Sequence, residues 1–358
     1  MAEGVVIRRF RREDEDGALQ LLVSKVAPER RAAAEAERRV RWKWQYYGNP
    51  ANPEADPILW VAEAGNSLVG LVCPLAANLR TPAGLVGASW CNDWIVDRGQ
   101  RGTGLGWALE DAWVKTFPVA LGRGWSDRAY AVSVKLGLVT VSGFSRAWIV
   151  LSRVGMATLL LRARQYRRFR ALAMLPPRLA HRKRLSGVSI EVLPALPSDA
   201  GEIWSRVAGK YRFSIERSLE HLRWRYGQHP TQRHSFLRAT VAGEAVGLAV
   251  VRVSTDDPAV GVICDLLVDP SSQPLAATLL ADALRTLKSA GACAAVADFP
   301  PALEGAFRAA GGPMFVEEVK ILVGDNARAY GDSGIYDSRS WYLSKADSDI
   351  DFNDSVME

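Results

Sequence analysis

Two stretches of the chain repeat one pattern of apolar and polar positions. Each opens on a short strand, Val5 to Phe10 or Val188 to Leu193, and continues into a helix beginning near an acidic cap, Asp14 or Asp199. A second helical stretch carries Trp44-Gln-Tyr46-Tyr-Gly-Asn-Pro50 in the first copy and Trp224-Arg-Tyr226-Gly-Gln-His-Pro230 in the second. A hairpin follows, turning at Gly65-Asn66 or at Ala242-Gly243. A central apolar strand comes next, Ser89 to Val96 or Val262 to Val268, containing Asp93-Trp-Ile-Val-Asp97 or Asp265-Leu-Leu-Val-Asp269. A helix succeeds it, Leu105 to Thr116 or Leu275 to Ala290, and another strand and helix close the unit.

The matches recur in the same order at offsets of 172 to 180 residues, which marks an internal repeat. Strands and helices mixed in this order predict an α/β (α+β) class with a mixed sheet in each copy. The expected division is 1–150 and 188–325 as the two copies, 151–187 as a basic connector and 326–358 as an acidic tail.

Composition is that of a globular chain: 358 residues, 48% hydrophobic and 23% charged. The net charge of +6 is too small for this length to argue for nucleic-acid binding. Its distribution says more. No acidic residue lies between Asp127 and Glu191, an interval with 13 Lys and Arg. From Asp325 to Glu358 there are eight acids against three bases. The basic segment 156–184 reads as a solvated connector whose apolar face packs on a domain, as a peripheral contact with an anionic membrane surface, or as a contact with an acidic polymer. The tail, with Asp347, Asp349 and Asp351, lacks EF-hand spacing and reads as solvated. Four scattered cysteines and four histidines show no metal-ligand spacing, so no metal is expected. The start has no signal-peptide core, and no uncharged apolar run approaches the roughly 18 residues of a membrane span. The expectation is a cytoplasmic protein, in contact with the inner membrane surface if the basic segment binds there.

Chemistry concentrates after the first central strand, in Asp97-Arg-Gly-Gln-Arg101-Gly102-Thr103-Gly104-Leu105-Gly106. A basic, glycine-rich loop that opens a helix presents unpaired N–H groups and partial positive charge, a site for phosphate or pyrophosphate. The absence of Gly-Lys-Ser/Thr excludes a P-loop.

Arg101-x-x-Gly104-x-Gly106 after a strand ending in Val-Asp resembles the acyl-CoA pyrophosphate loop of the GCN5-related N-acetyltransferases. Lys135-Leu136-Gly137 resembles the end of that family's next helix. The tandem layout is similar to that of acetyltransferase-like proteins of bacterial surface-polysaccharide clusters. The resemblance implies two tandem domains of this fold, each a mostly antiparallel twisted sheet flanked by helices. It implies acyl-CoA, acetyl-CoA first, as donor, held by Ile95, Val96, Arg101, Gly102, Thr103, Gly104, Leu105 and Gly106. It implies an amine as acceptor, with an amino sugar of a polysaccharide precursor as one candidate. The N–H near Ile95 or Val96 would polarise the thioester carbonyl. Asp93 is the candidate base and Tyr130 the candidate acid, because the family's usual tyrosine position holds Ser133.

Both assignments have structural alternatives. Asp93 has a counterpart, Asp265, in the copy whose loop is Asp269-Pro-Ser-Ser-Gln-Pro274, without Gly or Arg. A shared structural role would explain that pair, and Tyr130 could be a packed helix residue. Nine of twelve tryptophans lie in the first copy, as core or as the walls of a sugar or nucleotide cleft. A catalytically inactive binding protein, a tandem-domain aminoacyl transferase and a membrane-surface module remain alternatives to the acyltransferase.

Overall fold

A computed structural model of the chain describes residues 4–153, 155–157, 185–255, 259–310 and 313–348. Most of the basic segment, 158–184, and the end of the tail, from 349, lie outside the described residues. The chain forms two compact units. The first comprises residues 1–141 and 321–336, the second 142–320 and 337–358.

In the N-terminal unit the elements are β1 (Val5–Arg9), α1 (Glu15–Leu22), α2 (Arg31–Trp42), β2 (Trp60–Ala64), β3 (Ser67–Thr81), β4 (Gly84–Val96), α3 (Leu105–Val114), β5 (Val119–Gly122) and α4 (Asp127–Lys135). Strand β6 (Val139–Val150) then leads into the C-terminal unit. There follow β7 (Val188–Leu193), α5 (Ala200–Ala208), β8 (Ser214–Ile215), α6 (Leu219–Leu222), β9 (Ser235–Val241), β10 (Glu244–Val253), β11 (Val260–Val268), α7 (Gln273–Ser289), β12 (Ala294–Phe299), α8 (Glu304–Ala310) and β13 (Met314–Asp325).

The repeat read from the sequence is a repeat of topology. In the first unit β1–β2, β2–β3 and β3–β4 pair antiparallel and β4–β5 parallel. In the second unit β7–β9, β9–β10 and β10–β11 pair antiparallel and β11–β12 parallel. One further antiparallel strand lies beside the last parallel strand in each unit, and here the expected boundaries change. The strand beside β5 is Leu322–Asp325, from the far end of the chain. The strand beside β12 is Ser145–Val150, from the start of the second unit and ahead of β7. Local sequence specifies a strand but not its partner, so 1–150 and 188–325 are not the compact units.

Packing follows the repeat. Leu105, Leu109 and Trp113, at helical spacing on α3, are buried in the first unit. An added Cβ on Gly70 of β3 would meet Leu109 Cδ1 at 2.9 Å, so only glycine lets the helix sit this close. Gly247 of β10 makes the same approach to Leu279 of α7, at 3.1 Å. The acidic residues at the helix starts serve a different purpose from the one expected. Asp14 accepts two bonds from Arg8, at 2.7 and 2.8 Å, and one from Arg11 N–H. Asp199 pairs with Arg238. Neither side chain bonds a free N–H of the helix it precedes.

The two Trp-x-Tyr motifs each form a single π-helical turn, Lys43–Tyr47 and Arg223–Gly227. Both bury their Trp and Tyr. The acidic tail is not solvated as expected. Residues 341–348 are buried in the C-terminal unit, where the Asp347 carboxylate meets Arg217 at 2.7 Å.

Candidate functional site

Strand β4 pairs with β5 only at Ala88–Trp90, opposite Val119–Leu121. Beyond Trp90 it continues to Val96 along β3, whereas β5 stops at Gly122. The β3–β4 register shifts between Cys73 and Pro74, opposite Asp93 and Cys91, leaving Asn92 as the extra residue. The two parallel strands therefore part and leave one edge of β4 open. The Asp97 N–H donates to Val69 C=O at 2.8 Å, toward β3. Backbone direction alternates along a strand, so Ile95 also faces β3 while Trp94 and Val96 turn their N–H and C=O groups into the gap. Of the two expected carbonyl-polarising positions, Val96 has this orientation and Ile95 does not.

The loop closes the wide end of this gap. Asp97 Oδ1 accepts from Gly99 N–H at 2.8 Å, and Thr103 Oγ1 donates to Gln100 C=O at 2.8 Å. Gly102 and Gly104 both have φ of +84°, the left-handed region that glycine enters without cost. Gly104 is the N-cap of α3 and offers no side chain to its first N–H groups, which stay available to an anion. An added Cβ on Gly106 would lie 3.2 Å from Trp94 Cζ2, so the first turn of α3 rests directly on β4.

A cleft of about 470 Å³ runs from the loop along β4 to α4, lined among others by Val96, Gly104, Gly106 and Ser126. Lys25, Arg101 and Arg128 also line it, and none has a carboxylate partner among the described residues. A neighbouring hollow of about 350 Å³ shares Lys25, Val96 and Arg101 with it and adds Arg31 and Arg98. The mouth is thus strongly positive, as an anionic ligand requires.

Inward, the cleft shares Trp94, Ser126 and Ala129 with a smaller cavity of about 180 Å³ lined by Cys91, Asn92, Glu110, Arg123, Trp125 and Ser133. Glu110 is 1% exposed. One carboxyl oxygen bonds the Ser133 hydroxyl and the other has no partner. Burial pushes this carboxyl up to about 7, with the Ser133 hydrogen bond acting in the opposite direction.

The structure sorts the residues expected from the sequence. Ile95, Val96, Arg101, Gly102, Gly104 and Gly106 line the cleft. Thr103 braces the loop, and Leu105 is a core residue, 2% exposed. Asp93 turns to α2, where Arg38 holds it at 3.1 Å, and does not reach the cleft. Tyr130 stacks on Trp125 with ring centroids 5.6 Å apart, and its hydroxyl bonds Thr140 at 2.9 Å, so it is not brought into the inner cavity. Ser133 is. Sequence reading missed Lys25, Arg128 and Glu110. Glu110 was discoverable by aligning the repeats, where Leu109-Glu110 stands opposite Leu279-Leu280.

The second unit closes the corresponding place with its own chain. Tyr342 Oη accepts from Leu266 N–H at 3.1 Å and donates to Asp265 at 2.6 Å. Leu266 aligns with Trp94, so the backbone group left open in the first unit is satisfied here. Gln273, at the start of α7, donates to the carbonyls of Pro270 and Ala302, and Lys210 pairs with Asp269 at 2.9 Å. No glycine and no unpaired arginine stand at this helix start.

No protein-family model and no curated protein matches the sequence. Solved structures do match in shape. A GCN5-related N-acetyltransferase from Anabaena variabilis superposes with a TM-score of 0.61 at 11% identity, over 90% of this chain and 73% of that one. One from Kribbella flavida gives 0.56 at 12%, over 90% and 72%. Saccharomyces cerevisiae N-myristoyltransferase with bound myristoyl-CoA gives 0.53 at 11%, over 91% and 83%. On this likeness, and on a sheet whose parallel strands part beneath a glycine loop at a helix start, the chain has the fold of the GCN5-related N-acetyltransferases.

Proposed function

We propose that this chain is an acyl-CoA-dependent N-acyltransferase whose N-terminal unit holds the donor. The observation that carries the reading is the open edge of β4 ending under the positive-φ loop at the start of α3. Pyrophosphate would lie on the loop N–H groups beside Arg101, Lys25 and Arg128. The extended pantetheine would pair with the free backbone groups of Trp94 and Val96, as a strand would. Its thioester would then point toward the inner cavity. An acceptor amine attacks the thioester carbonyl, and an N–H from this edge stabilises the oxyanion. Amino sugars are the first acceptors to screen. The C-terminal unit, its own gap filled by Tyr342, shapes the protein without binding donor.

The test is thermal denaturation with acetyl-CoA. A ligand at 100 times its Kd stabilises by ~2.7 kcal/mol, several degrees in Tm. Gly104→Glu places a side chain at left-handed φ and a negative charge against the phosphates, and is expected to abolish the shift. No shift in the wild type would refute the reading. Asp93→Asn is expected to leave the shift unchanged and to cost no more than about 1 kcal/mol, because its pair with Arg38 is still partly open to solvent. Loss of acetyl-CoA binding in that variant would put Asp93 back in the site.

A further inference from the structure

Leu109 and Leu279 close on Gly70 and Gly247 in the same way, which places Glu110 in register with Leu280. Leu280 is fully buried. The unit with the glycine loop therefore buries a carboxyl where the unit without it buries a leucine. A carboxyl with one unsatisfied oxygen is costly to bury, and the fold itself has no need of it.

The surroundings indicate which form it takes. The Ser133 hydroxyl lies within hydrogen-bond distance of both Glu110 Oε1 and the Ala129 carbonyl, 3.1 Å away. One hydroxyl proton cannot serve both acceptors. Both bonds form when Glu110 carries a proton and donates it to Ser133 Oγ, while Ser133 donates to Ala129. Resting on the acyl-CoA reading above, the geometry points to Glu110 as the catalytic acid, which delivers a proton in the inner cavity to the departing CoA sulfur. As the amine nitrogen bonds the acyl carbon, the C–S bond breaks and its electron pair leaves on sulfur. The Glu110 proton moves to that sulfur, and the proton lost by the amine restores the acid, so the exchange balances. The other titratable or charged groups lining this cavity are the Cys91 thiol from β4 and the Arg123 guanidinium after β5. On α3 itself, Asp111 is engaged by Lys115 at 2.6 Å.

The test compares acetyl-CoA with free CoA in the full chain, by calorimetry from pH 5.5 to 8.5. The thioester can only accept a hydrogen bond, whereas the thiol can donate one to the carboxylate. The affinity ratio, acetyl-CoA over CoA, is expected to fall up to about tenfold as Glu110 ionises, and to be independent of pH in Glu110→Gln. The phosphates common to both ligands cancel in the ratio. Ser133→Ala removes the hydroxyl that bonds the Glu110 carboxyl and is expected to displace the midpoint, which gives a second readout if Glu110→Gln folds poorly. A ratio independent of pH in the wild type, or one still pH-dependent in Glu110→Gln, overturns the proposal while leaving the donor site standing. Failure of both ligands to bind at any pH overturns the donor reading itself, and this proposal with it.

Discussion

Replacing Arg217 with methionine is expected to destabilise the C-terminal unit by about 3–5 kcal/mol, the cost of leaving buried charge without its partner. Arg217 Nε donates to Asp265 at 2.8 Å and Nη2 to Asp347 at 2.7 Å. The side chains of both carboxylates are 1% exposed. Nη1 donates to Ile215 C=O at 2.7 Å, and the guanidinium lies 4.5 Å from the ring centroid of Tyr342. Burial already pushes the Asp347 carboxyl up, with Arg217 pulling it down. Without the arginine the Asp347 carboxyl must take up a proton or remain a buried anion without its partner. Its folded-state pKa, already raised by burial, would then stand further above the unfolded one. Stability would be retained in acid and lost as pH rises through the folded value. Urea unfolding at pH 5.5 and pH 8 checks this: the deficit should be larger at pH 8. An equal deficit at both would mean that the arginine acts through packing alone.

Glu110 sets the second expectation, and its sign is opposite to that of a salt-bridged acid. Its carboxyl is held at about 7 against an ordinary value of 4.5. Below about 4.5 it is protonated in both folded and unfolded chains and carries no penalty. Between the two values the folded state binds a proton that the unfolded state releases, so stability falls as pH rises. Above about 7 the full penalty applies, and Glu110→Gln is expected to stabilise the N-terminal unit by at most roughly 3 kcal/mol at pH 8. At pH 4 it is expected to bring no gain. Thermal melts of the two proteins across this range decide the matter, and a gain that does not change with pH would disprove the assignment. A residue that weakens its own domain at neutral pH is expected where function outweighs stability.

The parts that could be read in advance were those written locally. The loop from Asp97 to Gly106 shows its strand, its glycines and its helix start within a few residues. The repeat declared itself through Trp44/Trp224 and Asp93/Asp265. Long-range pairing was hidden. Nothing within Val139–Val150 or Met314–Asp325 indicates which sheet each will complete, since an apolar alternating run fits either. Glu110 was hidden for another reason. On α3 alone it sits beside the apolar face of Leu105, Leu109 and Trp113, where a charged residue reads as the edge of a solvated surface. Only the packing of α4, which places Ser133 over it, makes it an interior group. The tail misled in the same way: its acids suggested solvent, but Arg217, 130 positions earlier, was waiting for one of them.

The origin of this further strand in each unit bears on how the protein is made. The N-terminal unit lacks its last strand until residues 321–325 have left the ribosome, 180 positions after residue 141. At bacterial or eukaryotic elongation rates that delay is on the order of ten seconds or more. During it the edge of β5 presents unpaired backbone groups, a template for pairing with another nascent chain. Strand β6, in contrast, is synthesised before the sheet it will join exists. The two units therefore cannot mature one after the other as beads on a string. A fragment ending near residue 150 would carry the complete glycine loop on a sheet without that strand.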